Sequence, residues 1–275
     1  MTNLAMTMKQ DLASGARIGI IGAGFVAAKL FRHVEGGTGD WRAAFVHARR
    51  SEALDFVPEA LRLEDLNDLA RFSPTLVVEA AHPDITRQHG EAILRVADYM
   101  PLSVTALADP DLLARLQAIA AEHGHRLLIP HGALVGLDSL VAWRDRWTEV
   151  TITFRKPPSS IDLAATDFTA DAIVDETVVY DGPVGPMAKL FPRNVNAMVT
   201  CALATVGVDR CRGRLIADPT AAMLSLQIEA VDADGARLFI ERRQPAVGVS
   251  GSEMFASLLR SVEAATGETG PVAFL

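Results

Sequence analysis

RIGIIGAGFVAA, residues Arg17 to Ala28, decides the fold of the chain. Ile18, Ile20 and Ile21 are β-favouring and run into Gly22-Ala23-Gly24, after which Phe25, Val26, Ala27 and Ala28 open a helix. A strand, a tight glycine turn and a helix N-terminus, in that order, form the cradle that a dinucleotide pyrophosphate requires. Gly22 can take a backbone conformation closed to residues with a side chain. Gly24 leaves room for phosphates to reach the unpaired N–H groups of the first helical turn. Ala27 stands where a third small residue lets helix and strand pack closely. Gly22, Gly24, Phe25, Val26 and Ala27 are therefore the expected cofactor contacts of this turn.

Working outward, the helix is expected to reach about Val34 and to stop in the glycine-rich exit Glu35 to Gly39. Trp41 to Val46 reads as the second strand. Roughly 20 residues beyond such a fingerprint an acid normally binds the adenine-side ribose hydroxyls. This chain has His47-Ala48-Arg49-Arg50 instead. A carboxylate there would repel a 2′-phosphate, whereas a guanidinium matches phosphate oxygens as a bidentate donor. The expected cofactor is thus NADP or NAD, with Arg49 the main phosphate contact and Arg50 or His47 assisting. The alternative is that both arginines are solvent-facing loop residues.

Further along, a polar helix is expected over 63–72 and an apolar strand over 75–81, ending in the small residues Ala80 and Ala81. These would let backbone approach the nicotinamide. His82-Pro83 breaks the strand and Asp84 can cap a helix over 85–97. Another strand is expected within 101–109, a helix over 111–122, and a further strand at 126–129. Short apolar strands alternating with helices make a Rossmann-type doubly wound parallel α/β sheet. From Glu149 the texture changes: strands at 150–154, 177–180, 212–217, 224–230 and 237–241, with a helix over 195–206, indicate a second α/β domain on a mostly antiparallel sheet. The expected organisation is a flexible tail (1–16), a dinucleotide-binding domain (17–135), a substrate and oligomerisation domain (136–245), and a C-terminal segment (246–275) whose helix returns to the first domain.

At 275 residues and 49% hydrophobic content, the chain can bury at least one full core and is long enough for two ordinary domains, or for one α/β unit with a large addition. A net charge of −8 argues against a broadly basic nucleic-acid surface. Cys201 and Cys211 lack metal-site spacing and do not suggest a disulfide scaffold. The first sixteen residues carry no apolar signal core, and no run approaches a membrane span. A cytoplasmic protein is expected, acting on a small molecule, with no nucleic-acid, membrane or metal partner.

All seven histidines lie within the first 131 residues. Only His82 and His131 fall where strand ends face the expected nicotinamide site, so these are the candidates for moving a proton. Cations able to hold a substrate carboxylate are Lys156, Lys189, Arg193, Arg214 and Arg243, any of which could equally be a surface charge. Asn194 and Asn196 flank a helix start after Pro192; one can cap it while the other turns its amide into a cleft. Lys156, Arg193 and Asn194 are the expected substrate contacts.

Several blocks in order then show a resemblance: GAGFVA at 22–27, EAAHP at 79–83, SVTALAD at 103–109, HGALVGLD at 131–138, RKPP at 155–158, FPRNVN at 191–196 and LIADP at 215–219. Together they make the chain similar to the L-aspartate dehydrogenase family. The resemblance implies reversible, NAD(P)-dependent oxidative deamination of L-aspartate through iminosuccinate, a compound that can feed nicotinamide nucleotide biosynthesis. It also implies a homodimer, or an assembly of dimers, built through the second-domain sheets, and cofactor contacts at Ala133 and Asn196. The family places its catalytic histidine in an Asn-x-His-x-Ile pattern after the ADP block. Here the matching segment is Leu224-Ser225-Leu226-Gln227-Ile228, so leucine occupies both the Asn and the His positions. An Asn-Pro-Lys-Thr-Ser-like segment is also replaced, by residues 245–250, while His131 stands where the family has serine. Three activities follow as expectations: an aspartate dehydrogenase with a relocated acid/base, an NADP-dependent reductase of a less polar carbonyl or imine, or a cofactor-binding protein without catalysis.

Overall fold

The computed structural model describes residues 15–37, 40–245 and 253–267. The expected tail up to residue 14, Thr38 and Gly39 of the glycine-rich exit, and residues 246–252 lie outside the described residues. By packing, the chain forms two compact units. Of the described residues, one takes those of 15–102, 114–128 and 262–267; the other takes 103–113, 129–245 and 253–261.

The first unit is built on four parallel strands, β1 (Arg17–Ile21), β2 (Arg42–His47), β3 (Leu76–Glu79) and β4 (Asp98–Pro101), in the order β2-β1-β3-β4. In β1 every residue after Arg17 is buried, as is all of β3, the continuous burial that a parallel sheet covered on both faces imposes. Helix α1 (Phe25–Gly36) buries Ala27, Leu30, Phe31 and Val34, one stripe at helical spacing. Helix α2 (Pro83–Leu94) begins with Pro83, whose missing N–H costs nothing in the first turn. Helix α3 (Pro110–His123) follows close to its expected span.

Three expectations need correction here. The polar helix is a 3₁₀ segment, Leu66–Phe72, started by Asp65, whose side chain accepts from the Asn67 N–H at 2.9 Å. The strand sought in 101–109 is β4 and ends at Pro101, opposite the last residue of β3; Val104–Ala108 is a 3₁₀ turn. Val104 and Thr105 are β-formers, but tertiary bonds hold the turn: Thr105 N donates to Asn196 Oδ1 at 3.1 Å and Thr105 Oγ1 to the Pro192 carbonyl at 2.7 Å. The strand expected at 126–129 is reduced to a single bridge, Tyr99 to Leu127.

The second unit carries a five-stranded sheet of β5 (Trp147–Lys156), β6 (Thr177–Pro183), β7 (Arg212–Ala217), β8 (Met223–Asp232) and β9 (Arg237–Pro245). Its order is β6-β7-β5-β8-β9; β5 and β7 are parallel and the other neighbours antiparallel. Along β5, Val150, Ile152, Phe154 and Lys156 are buried in strict alternation with partly exposed Thr151, Thr153 and Arg155. One face is therefore core and the other is open. Helices α4 (Leu137–Ala142), α5 (Val184–Leu190) and α6 (Asn196–Ala204) complete the unit, and α6 packs against β5. Helix α7 (Glu253–Thr266) ends in the first unit, where Trp41 Nε1 donates to Thr266 Oγ1 at 3.2 Å and Arg126 Nη2 to the Ala265 carbonyl at 2.7 Å. Among the described residues no helix is long and apolar enough to cross a membrane, and no His, Cys, Asp or Glu cluster could hold a metal.

Candidate functional site

The glycine turn shows two different reasons for lacking a side chain. Gly22 has φ +131°, and a Cβ there would stand 2.5 Å from the Ala80 carbonyl oxygen. Glycine is demanded by the protein itself, because the end of β3 crosses directly beside the turn. The same virtual Cβ lies 3.4 Å from Ala27 Cβ, so the third small residue of the fingerprint closes the contact. Gly24 differs. It is exposed, and a Cβ there would meet no atom of the chain within 4 Å. Internal packing gives no reason for glycine at this position, whereas close approach of a phosphate does. No side chain caps α1 and its first turn carries no acid, so its N–H groups and the positive end of its dipole are left for an anion. Phe25 is exposed and Val26 half-buried at this end of the helix. The residues present fit a dinucleotide.

At the end of β2, Gly22 N donates to the His47 carbonyl at 2.8 Å, which fixes the following loop beside the turn. His47 Nδ1 donates to the Leu63 carbonyl at 2.8 Å, and burial lowers the ring's proton affinity. His47 is thus neutral near pH 7 and adds no charge for a phosphate. Arg49 and Arg50 are exposed, and neither guanidinium makes an ion pair or hydrogen bond among the described residues.

At the end of β3, Glu79 is fully buried and its Oε1 accepts the Ala81 N–H at 2.6 Å, bending the chain so that Ala80 passes against Gly22. Burial and then the Glu79 charge push the Tyr99 hydroxyl well above its ordinary value; Tyr99 shares a 2.8 Å hydrogen bond with Thr86. Composition gave no reason to single out Glu79, although an acid inside the apolar run Leu76 to Ala81 was a usable signal. His82 is the N-cap of α2: Nδ1 accepts the Asp84 N–H at 3.2 Å and lies 3.2 Å from Asp84 Oδ2. Its exposed ring therefore has a structural task.

In the second unit, Lys156 ends β5 with only 9% of its surface exposed. Its Nζ donates to the Asn194 carbonyl at 3.2 Å and lies 4.6 Å from the centre of the Phe154 ring. Among the described residues no carboxylate reaches ion-pair distance of it. Burial lowers its pKa to about 8. Asn194 is buried with both amide atoms engaged: Nδ2 donates to the Ser160 carbonyl at 2.9 Å and Oδ1 accepts the Asp162 N–H at 2.8 Å. It is a clamp on the loop after β5, and its main chain holds the lysine. Arg193 is exposed beside it. Asn196 begins α6 with Oδ1 bound to Thr105 N, leaving Nδ2 as the donor still open. Ala133 and exposed His131 share one turn, closed by Leu134 N on the His131 carbonyl at 2.9 Å.

Of the other cations considered, Arg214 and Arg243 sit on the open face of the sheet and are paired with Asp181 and Glu241. Lys189 is exposed at the end of α5. Two further residues escaped the sequence reading. Arg242 lies opposite Leu226 on the core face, and Gln244, opposite Leu224, is buried with Oε1 unpartnered among the described residues. The alternation Leu238, Ile240, Arg242, Gln244 would have pointed inward, and Arg243 outward.

The strand order and the glycine turn define a dinucleotide-binding unit of the Rossmann type, and the chain carries a second, mixed-sheet unit. Residues 22–130 match the family described as homoserine dehydrogenase, NAD binding domain, and residues 138–261 that described as aspartate dehydrogenase, C-terminal. An aspartate dehydrogenase domain-containing protein of Xenopus tropicalis is 35% identical over 274 residues, covering 93% of this chain and 96% of the relative. An L-aspartate dehydrogenase of Methanocella arvoryzae is 33% identical over 217 residues, covering 74% and 79%. The crystal structure of aspartate dehydrogenase from Thermotoga maritima matches with TM-score 0.71 at 26% identity, over 94% of this chain and 99% of that one. The chain belongs to the L-aspartate dehydrogenase family.

Proposed function

We propose that the chain interconverts L-aspartate and iminosuccinate, with hydrolysis to oxaloacetate and ammonia, and that it accepts NADP as well as NAD. The observation that carries this reading is Lys156, a buried cation with no carboxylate counterion among the described residues, set in a family of aspartate dehydrogenases. A site so arranged suits an acidic substrate, because a buried charge needs a partner. Exposed Arg193 is a second cation for a dicarboxylate.

Gly22, Gly24, Phe25, Val26 and Ala27 would hold the pyrophosphate, Ala80 and Ala81 would lie along the nicotinamide, and Ala133 and Asn196 Nδ2 would contact its carboxamide. Arg49, with Arg50, would meet a 2′-phosphate. When bound, the dinucleotide supplies or accepts the hydride. His131, exposed to solvent, takes the proton of the substrate ammonium; His82 is a less suitable base because its Nδ1 caps α2. Pairing of two copies through the second sheet belongs to the same reading, and sedimentation at micromolar concentration tests it.

The test is steady-state turnover of oxaloacetate plus ammonia with NADPH and with NADH, beside calorimetric titration of each dinucleotide. Turnover with measurable dinucleotide affinity is expected; affinity for neither would end the oxidoreductase reading. A second reading is favoured by Leu224 and Leu226, which make the core face beside Lys156 apolar: reduction of a less polar carbonyl or imine. Binding without turnover of oxaloacetate, followed by turnover of an apolar 2-oxo acid or imine, would select it.

A further inference from the structure

The core face of the second sheet carries a buried amine at the end of β5, with the Tyr180 phenol of β6 opposite Leu215 and the Asp232 carboxylate of β8 opposite Trp147. Along β5 this face is Val150, Ile152, Phe154 and Lys156. Leu226 of β8 stands directly opposite Phe154, and Leu224, two residues earlier, shares its face. Leu215 and Ala217 of β7 stand opposite Phe154 and Lys156 on the other side. The charged neighbour on β9 is Arg242, opposite Leu226, and a guanidinium does not give up its proton. The Asp218 N–H donates to the Lys156 carbonyl, but the Asp218 carboxylate is turned to Thr220 and Arg155. Asp162, on the loop clamped by Asn194, is exposed and accepts from Ala164 N.

From this geometry we infer that Lys156 is a proton-transfer residue of the reaction proposed above, serving the hydrolysis of the imine. The inference rests on that reading. In the deamination direction, water oxygen forms a bond to the carbon of the protonated imine while one water proton passes to the neutral amine of Lys156. The resulting ammonium returns that proton to the substrate nitrogen. The C–N bond then breaks, its electron pair leaves with ammonia, and the hydroxyl proton departs with the ammonia as ammonium. Lys156 ends as it began, and nothing is oxidised or reduced in these steps. Two features suit it to the task. Its nitrogen is held by a carbonyl whose residue is itself clamped at both amide atoms, so its position is defined. Its surroundings are a π face and apolar side chains, which leave charged and neutral forms both accessible near neutral pH. A residue that only anchors a carboxylate needs a permanent charge, and there arginine would serve equally well.

The chain has four lysines, Lys9, Lys29, Lys156 and Lys189, so ¹³Cε-lysine NMR can follow each of them. One resonance is expected to titrate near pH 8 and to vanish in Lys156→Met. Both Lys156→Arg and Lys156→Met are expected to lower kcat for oxaloacetate plus ammonia by roughly 10²-fold or more, with KM for the dinucleotide unchanged. Both should also lose the transition near pH 8 from the kcat profile. Lys156→Met/Leu226→His, which returns an imidazole to the same face, should recover part of the rate. An ordinary titration of Lys156, or a Lys156→Arg enzyme with wild-type kcat and pH profile, overturns the inference while leaving the aspartate reading intact. Absence of turnover in the wild type overturns that reading, and the inference with it.

Discussion

Replacing Lys156 by methionine should change how stability depends on pH, by an amount that follows from its burial. The lysine proton is bound with a pKa of about 8 in the folded chain and near 10.5 in the unfolded one. Below pH 8 both states carry the proton, and the folded state bears the cost of a buried charge. Between about pH 8 and 10.5 the unfolded chain keeps the proton and the folded chain releases it, so stability rises with pH. The full increment is about 3 kcal/mol, of which about 2 kcal/mol is gained by pH 9.5. Methionine has the length and apolar character to fill the site but cannot titrate. The difference in unfolding free energy, wild type minus variant, should therefore grow by about 2 kcal/mol from pH 7 to pH 9.5. At pH 7 the variant forfeits the bond to the Asn194 carbonyl and the contact with the Phe154 ring, each worth about 1 kcal/mol, which offsets most of the relief from removing the charge. Urea unfolding followed by the fluorescence of buried Trp147, in the same unit, reports the transition. Titration of other groups cancels in the difference. A difference that stays flat with pH would show that the folded protein binds this proton as tightly as the unfolded chain does, and the account of an uncompensated buried cation would be wrong.

Other consequences are equally concrete. Gly22→Ala should destabilise the first unit by about 1–3 kcal/mol from backbone strain alone, before the clash with Ala80 is counted. Gly24→Ser, which adds a capping hydroxyl, should leave stability unchanged or higher by a few tenths of about 1 kcal/mol while weakening dinucleotide binding in calorimetry. Arg49→Ala is expected to cut the NADPH over NADH preference by about 10- to 100-fold, the worth of a charge-assisted contact, and an unchanged ratio of KM values would remove the phosphate role. His131→Ala should lower turnover by roughly 10²-fold without moving the melting temperature; a near-normal rate would clear His131 of proton transfer.

Much of the first unit could be read from local pattern, because each strand of a parallel sheet is a short apolar run and the glycine turn has a fixed chemistry. The reading failed where tertiary bonds outweigh propensity. Val104 and Thr105 look like a strand, yet a side-chain amide 91 residues away holds them in a 3₁₀ turn. In the second unit β7 was bounded as it stands, at 212–217, and the other four strands were found but cut short. β5 continues to Lys156 because its pairing with β7 and β8 carries past the apolar core. The candidate site was legible to the extent that residue type sufficed. Lys156 was singled out as a cation, but only the packing shows that it is buried, and only the register puts it on the same face as Leu226. Asn194 looked like a substrate contact because an exposed amide and a clamped one have the same letter. Arg242 was passed over for Arg243 although strand alternation separates them.

Asn196 gives the sharpest division between a structural and a cofactor role, since its two amide atoms face different tasks. Oδ1 accepts the Thr105 N–H at 3.1 Å and holds the 104–108 turn; Nδ2 has no partner among the described residues. Asn196→Ala removes both atoms and strands a buried N–H, which should cost about 1–3 kcal/mol in thermal unfolding. Asn196→Asp keeps the acceptor in place and exchanges the donor for a second acceptor. If the side chain served only the turn, the aspartate variant would melt and bind like the wild type. If Nδ2 donates to the nicotinamide carboxamide, the same variant should hold its stability yet lose roughly tenfold or more in dinucleotide affinity, the worth of about one hydrogen bond of 1.4 kcal/mol. Calorimetric titration with the reduced and the oxidised dinucleotide, beside a melting curve of the same preparation, separates the two cases, and wild-type affinity in Asn196→Asp would confine Asn196 to the turn.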